Sequence, residues 1–120
     1  MIKRLALIVL YTFSTFAFSG TWTPDLPTIV NLASTFSWAT KCSARGFADS
    51  KKTIDLGNKL QAEMSQKSYQ AFNKAYQNSL HKNAIYSVAN KKWLPYKLTK
   101  QDCKTADSVV NMFLLRLGGS

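Results

Sequence analysis

The sequence predicts an all-α protein, a small bundle of about four helices with one disulfide between the first and the last helix. Apolar residues recur at intervals of three and four along most of the chain, which is the spacing of one helix face. Capping residues and glycines divide this pattern into separate helices. The two cysteines, Cys42 and Cys103, fall on the apolar faces of the first and last of these helices. Strand-like alternation is weak throughout.

The first helix is predicted to follow the proline-containing segment 21–27. Pro27 suits the start of a helix, where its missing N–H costs no hydrogen bond. The apolar face of this helix contains Ile29, Leu32, Phe36, Ala39 and Cys42. Gly46 can adopt the left-handed conformation that ends a helix.

A second helical stretch begins after Asp49 or Ser50, either of which can cap its first turn. Its apolar stripe contains Leu56, Leu60 and Met64 and then, after a shift, Tyr69, Phe72, Tyr76 and Leu80. The shift falls at residues 65–68, so this stretch is predicted to be kinked there or to consist of two packed helices. Residues 85–88 form a further short apolar piece.

Residues 90–98 are predicted to be the least helical part of the chain, because Pro95 disfavours a helical backbone at Leu94. The last helix has the clearest start, since Thr99 and Asp102 have the spacing of a capping box. Its apolar face contains Cys103, Ala106, Val110, Phe113 and Leu117, and glycines 118 and 119 end it. Core packing, rather than ligand binding, is the predicted role of four aromatic residues: Phe36, Phe72, Tyr76 and Phe113.

The cysteines are predicted to form a structural disulfide. They are the only two in the chain, and 60 residues lie between them. Closing a loop of this length stabilises a fold by about 4 kcal/mol in the chain-entropy model. Metal-binding or redox thiols would need CxxC spacing or histidine partners, and the single histidine, His81, gives neither.

The first 19 residues have the layout of a secretory signal peptide. A basic head (MIKR) precedes a 14-residue apolar run from Leu5 to Phe18, and Ala17 and Ser19 are small residues at the −3 and −1 positions. The run is shorter than the roughly 20 residues of a membrane-spanning helix. We therefore predict cleavage after Ser19, a single helical domain over residues 20–120, and a secreted or periplasmic location.

The chain has a formal net charge of +10, which falls to +8 without Lys3 and Arg4 of the leader. Such an excess favours negatively charged partners, although solubility alone is another explanation. Lysines outnumber arginines thirteen to three. Lysine suits diffuse attraction to phosphate, whereas arginine is preferred for bidentate contacts to bases. Sequence-specific nucleic-acid recognition is therefore not expected.

Segment 91–100 (KKWLPYKLTK) interleaves four lysines with a tryptophan and a tyrosine. Aromatic residues of these types favour the membrane interface, and lysines attract anionic headgroups. A second basic group near Cys42 contains Lys41, Arg45, Lys51 and Lys52. The candidate anion-binding residues are Lys91, Lys92, Trp93, Tyr96, Lys97, Lys100, Lys41 and Arg45. Alternatively, Trp93 closes one end of the bundle while the lysines face water.

Catalytic chemistry is poorly supported. His81, the one candidate base for a nucleophile, lies in a lysine- and asparagine-rich stretch typical of a solvated helix end. The six acidic residues are scattered, and neither a metal-ligand cluster nor a glycine-rich phosphate loop is present. We therefore expect a protein that is not an enzyme and uses no cofactor or metal.

Two functions fit these features best, and a small enzyme of unrecognised type is the third and weakest alternative. The first is binding to an anionic surface, most plausibly the phosphate headgroups of membrane lipids. The second is binding to an acidic protein, as an inhibitor, an immunity protein or a secretion-assembly factor. A continuous basic face that contains Trp93 would favour lipid. A concave or flat apolar patch ringed by lysines would favour protein.

Overall fold

A computed structural model describes residues 20–118 and confirms the four-helix bundle. The helices are α1 (Leu26–Ala44), α2 (Ser50–Glu63), α3 (Gln66–Lys82) and α4 (Lys100–Gly118). Two short strands, β1 (Ala84–Ser87) and β2 (Lys92–Pro95), lie between α3 and α4. The predicted leader and its cleavage site precede the described residues. Within residues 20–118, no helix has the length and apolarity needed to cross a membrane.

Side-chain caps fix the helix starts. Asp49 caps α2 by accepting hydrogen bonds from the backbone N–H groups of Lys51 (2.9 Å) and Lys52 (3.3 Å). Ser65 caps α3, so the predicted break between α2 and α3 is confirmed and falls at residues 64–65. The Thr99 hydroxyl accepts from the Asp102 N–H (3.1 Å) and donates to the Asp102 carboxylate (2.6 Å). These local bonds satisfy N–H groups that the helix itself leaves unpaired.

The core surrounds α1, which contacts α2, α3, α4 and β1. The buried cluster contains Ile29, Leu32, Leu56, Leu60, Met64, Phe72 and Val110. Three of the predicted core aromatics, Phe36, Tyr76 and Phe113, are half-buried and pack against this cluster. Burial, and secondly the neighbouring Tyr76, raise the pKa of Tyr69 above its ordinary value, so its hydroxyl stays neutral.

The predicted disulfide is present and joins α1 to α4. The Cα atoms of Cys42 and Cys103 are 5.6 Å apart, and both residues are fully buried. Trp38, Tyr96 and Ala106 pack around the bond in a second buried cluster. The cross-link therefore lies inside the protein and holds α1 and α4 together at the position of the two cysteines.

The structure adds a small β-hairpin to the predicted helical bundle. β1 and β2 pair in antiparallel register, with Ala84 opposite Pro95 and Tyr86 opposite Trp93. Four-residue strands are too short for a clear alternating pattern. The free edge of β1 also binds a helix, because Tyr86 donates its N–H to Ser34 Oγ (2.9 Å) and accepts from Asn31 Nδ2 at its carbonyl (2.8 Å).

Buried hydroxyls fix the other end of the hairpin. Ser37 Oγ on α1 lies 2.9 Å from the Tyr96 hydroxyl oxygen. Ser79 Oγ on α3 lies 2.8 Å from Ser37 Oγ and 2.6 Å from the Ala84 carbonyl oxygen. Because these groups satisfy one another away from water, they hold α1, α3 and the residues flanking both strands in one arrangement.

The N-terminal segment crosses the junction of α2 and α3. Trp22 donates its N–H to the Glu63 carbonyl (2.9 Å), and Ser65 donates to the Trp22 carbonyl (3.0 Å). Gly20 lies so close to the end of α2 that a Cβ there would be 2.1 Å from the Glu63 carbonyl oxygen. Only glycine fits this position without a shift of the backbone.

Candidate functional site

The structure removes Tyr96 from the predicted anion-binding surface. The residue is only 9% exposed, and its ring stacks on Trp38 with 6.0 Å between ring centres. Its hydroxyl belongs to the buried network with Ser37 and Ser79. The side chain therefore stabilises the junction between the hairpin and α1, and it is not available to a lipid or a protein partner.

Strand geometry separates the lysines from Trp93. Lys92 and Trp93 are neighbours in β2, so their side chains point to opposite faces of the hairpin. Lys91 has φ +54° in the turn before the strand. Lys97 and Lys100 are exposed beyond the strand, and the Lys97 carbonyl accepts a hydrogen bond from Trp38 Nε1 (2.9 Å). Within β2, Lys92 and Trp93 consequently lie on different faces of the hairpin.

The second basic group is partly engaged within the fold. Lys41 Nζ donates to the Leu80 carbonyl (3.0 Å) and to Asn83 Oδ1, and it lies 5.8 Å from the centre of the Tyr96 ring. It thereby satisfies a carbonyl at the C-terminal end of α3, where a positive charge is favourable. Lys52 is 3.9 Å from Asp107 in the one ion pair among residues 20–118. Arg45 and Lys51 remain exposed.

Trp93 instead borders an open groove of about 750 Å³ between α1 and α3, which we call the Trp93 groove. Leu26 and Val30 line it from α1, and Ala71 and Ala75 line it from α3. Its polar lining residues are Lys74, Gln77 and Asn78. The Trp93 ring packs edge-to-face on Tyr86, with 5.6 Å between ring centres.

A second lysine of α3 reaches Trp93 from the side. Lys82 Nζ lies 5.6 Å from the centre of the Trp93 ring, within the range of a cation–π interaction. Lys74 and Lys82 are eight residues apart on α3, with Asn78 midway, so all three lie on one stripe of the helix. Trp93 is therefore flanked by Lys74 and Lys82, neither of which was among the predicted anion-binding residues.

The candidate base and the acidic residues lie apart in the structure. His81 is exposed near the end of α3. No group of three or more histidine, cysteine or acidic residues within 20–118 could hold a metal ion. Asp102 is part of the α4 cap, and Asp107 accepts a hydrogen bond from the Asp49 N–H (3.1 Å) and pairs with Lys52. The arrangement is suited to binding through charge and apolar contact.

Comparison with known proteins returns no match to a family model, a curated protein or a solved structure.

Proposed function

We propose that this chain is an exported, non-enzymatic protein-binding module of the inhibitor, immunity or assembly-factor type. Its partner is an acidic protein that places an apolar segment in the Trp93 groove. The observation that carries this proposal is that two lysines, Lys74 and Lys82, lie beside Trp93 at the edge of the apolar Trp93 groove. The buried disulfide is compatible with an oxidising, exported environment.

The composition of the groove supports a protein partner. Leu26 is 61% exposed although it is a large aliphatic residue, and it shares the groove with Val30 and Trp93. Tryptophan in a partly desolvated pocket is a common anchor of binding energy at interfaces. Lysines at the rim of such a patch raise the rate of association with an acidic surface and make it sensitive to salt.

A membrane surface is the weaker candidate. The sequence-based proposal needed a continuous basic face that contains Trp93. Lys92 and Trp93 are neighbours in β2, so their side chains point to opposite faces of the hairpin, and Tyr96 is buried. The net charge of +8 on the predicted mature chain still attracts anionic lipid. Lipid binding is consequently an outcome that the same experiment can detect.

Leu26→Asp is expected to weaken partner binding at least about tenfold, because it places a negative charge in an apolar contact that faces an acidic protein. The partner is first captured from the exported fraction of the source cell with wild-type protein, then identified and purified. Its dissociation constant is measured by calorimetry against each variant. Leu26 is the first residue of α1, where an aspartate is compatible with the helix dipole, so the fold should survive.

Ile54→Asp is the matched control, since Ile54 is also 61% exposed but lies on α2 outside the Trp93 groove. Its affinity for the partner should equal that of wild-type protein. Equal losses from both variants would contradict a specific role of the groove. Wild-type protein could instead bind phosphatidylglycerol vesicles in preference to phosphatidylcholine vesicles. If the triple variant Lys91→Glu, Lys92→Glu, Lys97→Glu abolishes that preference, the partner is a lipid surface and not a protein.

The export part of the proposal predicts a mature N-terminus at or near Gly20. Mass spectrometry of protein recovered from the periplasm or the medium should give a mass that lacks residues 1–19. The physical basis is the basic head, the apolar run and the small residues at the cleavage site. Intact Met1 in that fraction would contradict leader removal.

A further inference from the structure

A pocket of about 720 Å³ opens where the N-terminal segment passes between α2 and α4. Its volume lies within the roughly 300–1,000 Å³ typical of small-molecule sites. We call it the Trp22 pocket; its lining includes Trp22, Leu32, Glu63, Phe113, Arg116 and Leu117. None of them lines the Trp93 groove, so this pocket needs an explanation of its own.

The apolar part of the pocket is held in place by the core. Leu32 is only 2% exposed, and Phe113 and Leu117 pack against the same buried cluster from α4. Trp22 is half-buried and fixed by its two backbone hydrogen bonds to Glu63 and Ser65. This surface can accept a large apolar side chain without reorganisation of the backbone.

The polar part of the pocket carries one charge of each sign. Glu63 is the last residue of α2, and Arg116 lies in the last turn of α4. Neither belongs to an ion pair within residues 20–118, where Lys52–Asp107 is the one such pair. An exposed carboxylate and an exposed guanidinium therefore border the same apolar surface without neutralising each other.

Three hydroxyl groups add hydrogen-bonding capacity. Thr21, Thr23 and Thr28 line the pocket, and their side chains make no hydrogen bond to any residue described here. A hydroxyl can both donate and accept, so these groups can complete the hydrogen bonds of a small polar ligand. The pocket thus combines an apolar surface, two opposite charges and unused hydroxyls.

We infer that the Trp22 pocket binds a free α-amino acid with a large apolar side chain. The Arg116 guanidinium receives the ligand's carboxylate, for which its planar donor fork is well suited. The Glu63 carboxylate accepts from the ammonium group, and the side chain packs on Trp22, Phe113 and Leu117. A fatty acid or a simple amine would use only one of the two charges.

The test is a titration with L-phenylalanine followed by two-dimensional NMR of the backbone amides of the pocket. Two analogues each lack one charge: 3-phenylpropionate has no ammonium group, and 2-phenylethylamine has no carboxylate. Phenylalanine should bind about tenfold more tightly than either analogue, because each loses one charged hydrogen-bonding interaction. The shifts should be confined to the pocket.

Charge-removing variants then assign the roles. Glu63→Gln should lower the affinity for phenylalanine about tenfold without lowering that for 3-phenylpropionate, whose carboxylate Glu63 repels. Arg116→Gln should likewise lower the affinity for phenylalanine without lowering that for 2-phenylethylamine, whose ammonium group Arg116 repels. Asp55→Asn and Arg45→Gln remove exposed charges elsewhere and serve as matched controls.

Three results would overturn the inference. The first is the absence of saturable shifts at the pocket amides with phenylalanine. The second is equal binding of phenylalanine and either analogue, which would leave only an apolar surface. The third is tighter binding of the dipeptide Phe-Gly than of phenylalanine, which would make a peptide the ligand. All three are independent of whether a protein binds the Trp93 groove.

Discussion

Replacing Cys42 or Cys103 by serine is expected to lower the free energy of unfolding by about 4 kcal/mol. The bond closes a loop across most of the described chain and therefore restricts the unfolded state strongly. Both residues are fully buried, so each serine also places a hydroxyl among Trp38, Ala106 and Tyr96. A loss of this size is a large part of a total stability of roughly 5–15 kcal/mol.

The double variant provides the control for this prediction. The same single bond is absent in both single variants and in the double variant, so the double variant should be little less stable than either. Urea unfolding of all four proteins gives the comparison. Titration of the native protein with a thiol reagent should find no reactive group, and two reactive groups would contradict the disulfide in solution.

Phe72→Ala is expected to cost about 3–5 kcal/mol of stability, because it leaves a cavity in a close-packed core. Phe72 is 2% exposed and lies between two other rings, with 5.9 Å to the centre of Phe36 and 5.5 Å to that of Tyr69. Its loss removes contacts to both rings and to the aliphatic cluster. The effect should appear as a lower urea midpoint with an unchanged slope.

Phe47→Ala is the appropriate comparison, since Phe47 is among the exposed large apolar residues and follows the end of α1. Its cost should fall within about 0.5 kcal/mol, as for most surface substitutions. Similar losses from Phe72→Ala and Phe47→Ala would contradict the core position of Phe72.

The helices could be predicted because the residues that specify them, the apolar repeats and the caps, lie close together in the sequence. Leu56, Leu60 and Met64 repeat at the period of a helix face, and all three are buried as that period requires. The Thr99–Asp102 box marks the start of α4 within four residues. The disulfide followed from there being only two cysteines.

The hairpin and the polar face of α1 could not be predicted, because they depend on partners distant in sequence. Ser34 and Ser37 look unsuited to a buried helix, yet both are fully buried. Ser34 binds Tyr86, 52 residues away, and Ser37 binds Tyr96, 59 residues away. Only the fold brings these groups together.

The same reason explains the errors in the candidate site. Tyr96 was grouped with the lysines of segment 91–100, whereas its buried partners lie on α1 and α3. The Trp93 groove combines Leu26, Lys74 and Trp93 from three separate elements. The stripe of Lys74, Asn78 and Lys82 was visible in the sequence, but nothing local connected it to Trp93.

The hydrogen bonds from α1 to the outer edge of β1 also limit how this protein can associate with other chains. Asn31 and Ser34 occupy the backbone groups of Tyr86 that an incoming strand would use. On the other strand Pro95 has no N–H to offer. The outer edge of β1 is thereby protected against edge-to-edge pairing, a route to aggregation of short sheets. A partner that meets the β1 edge must therefore recognise it through side chains and not by adding a strand.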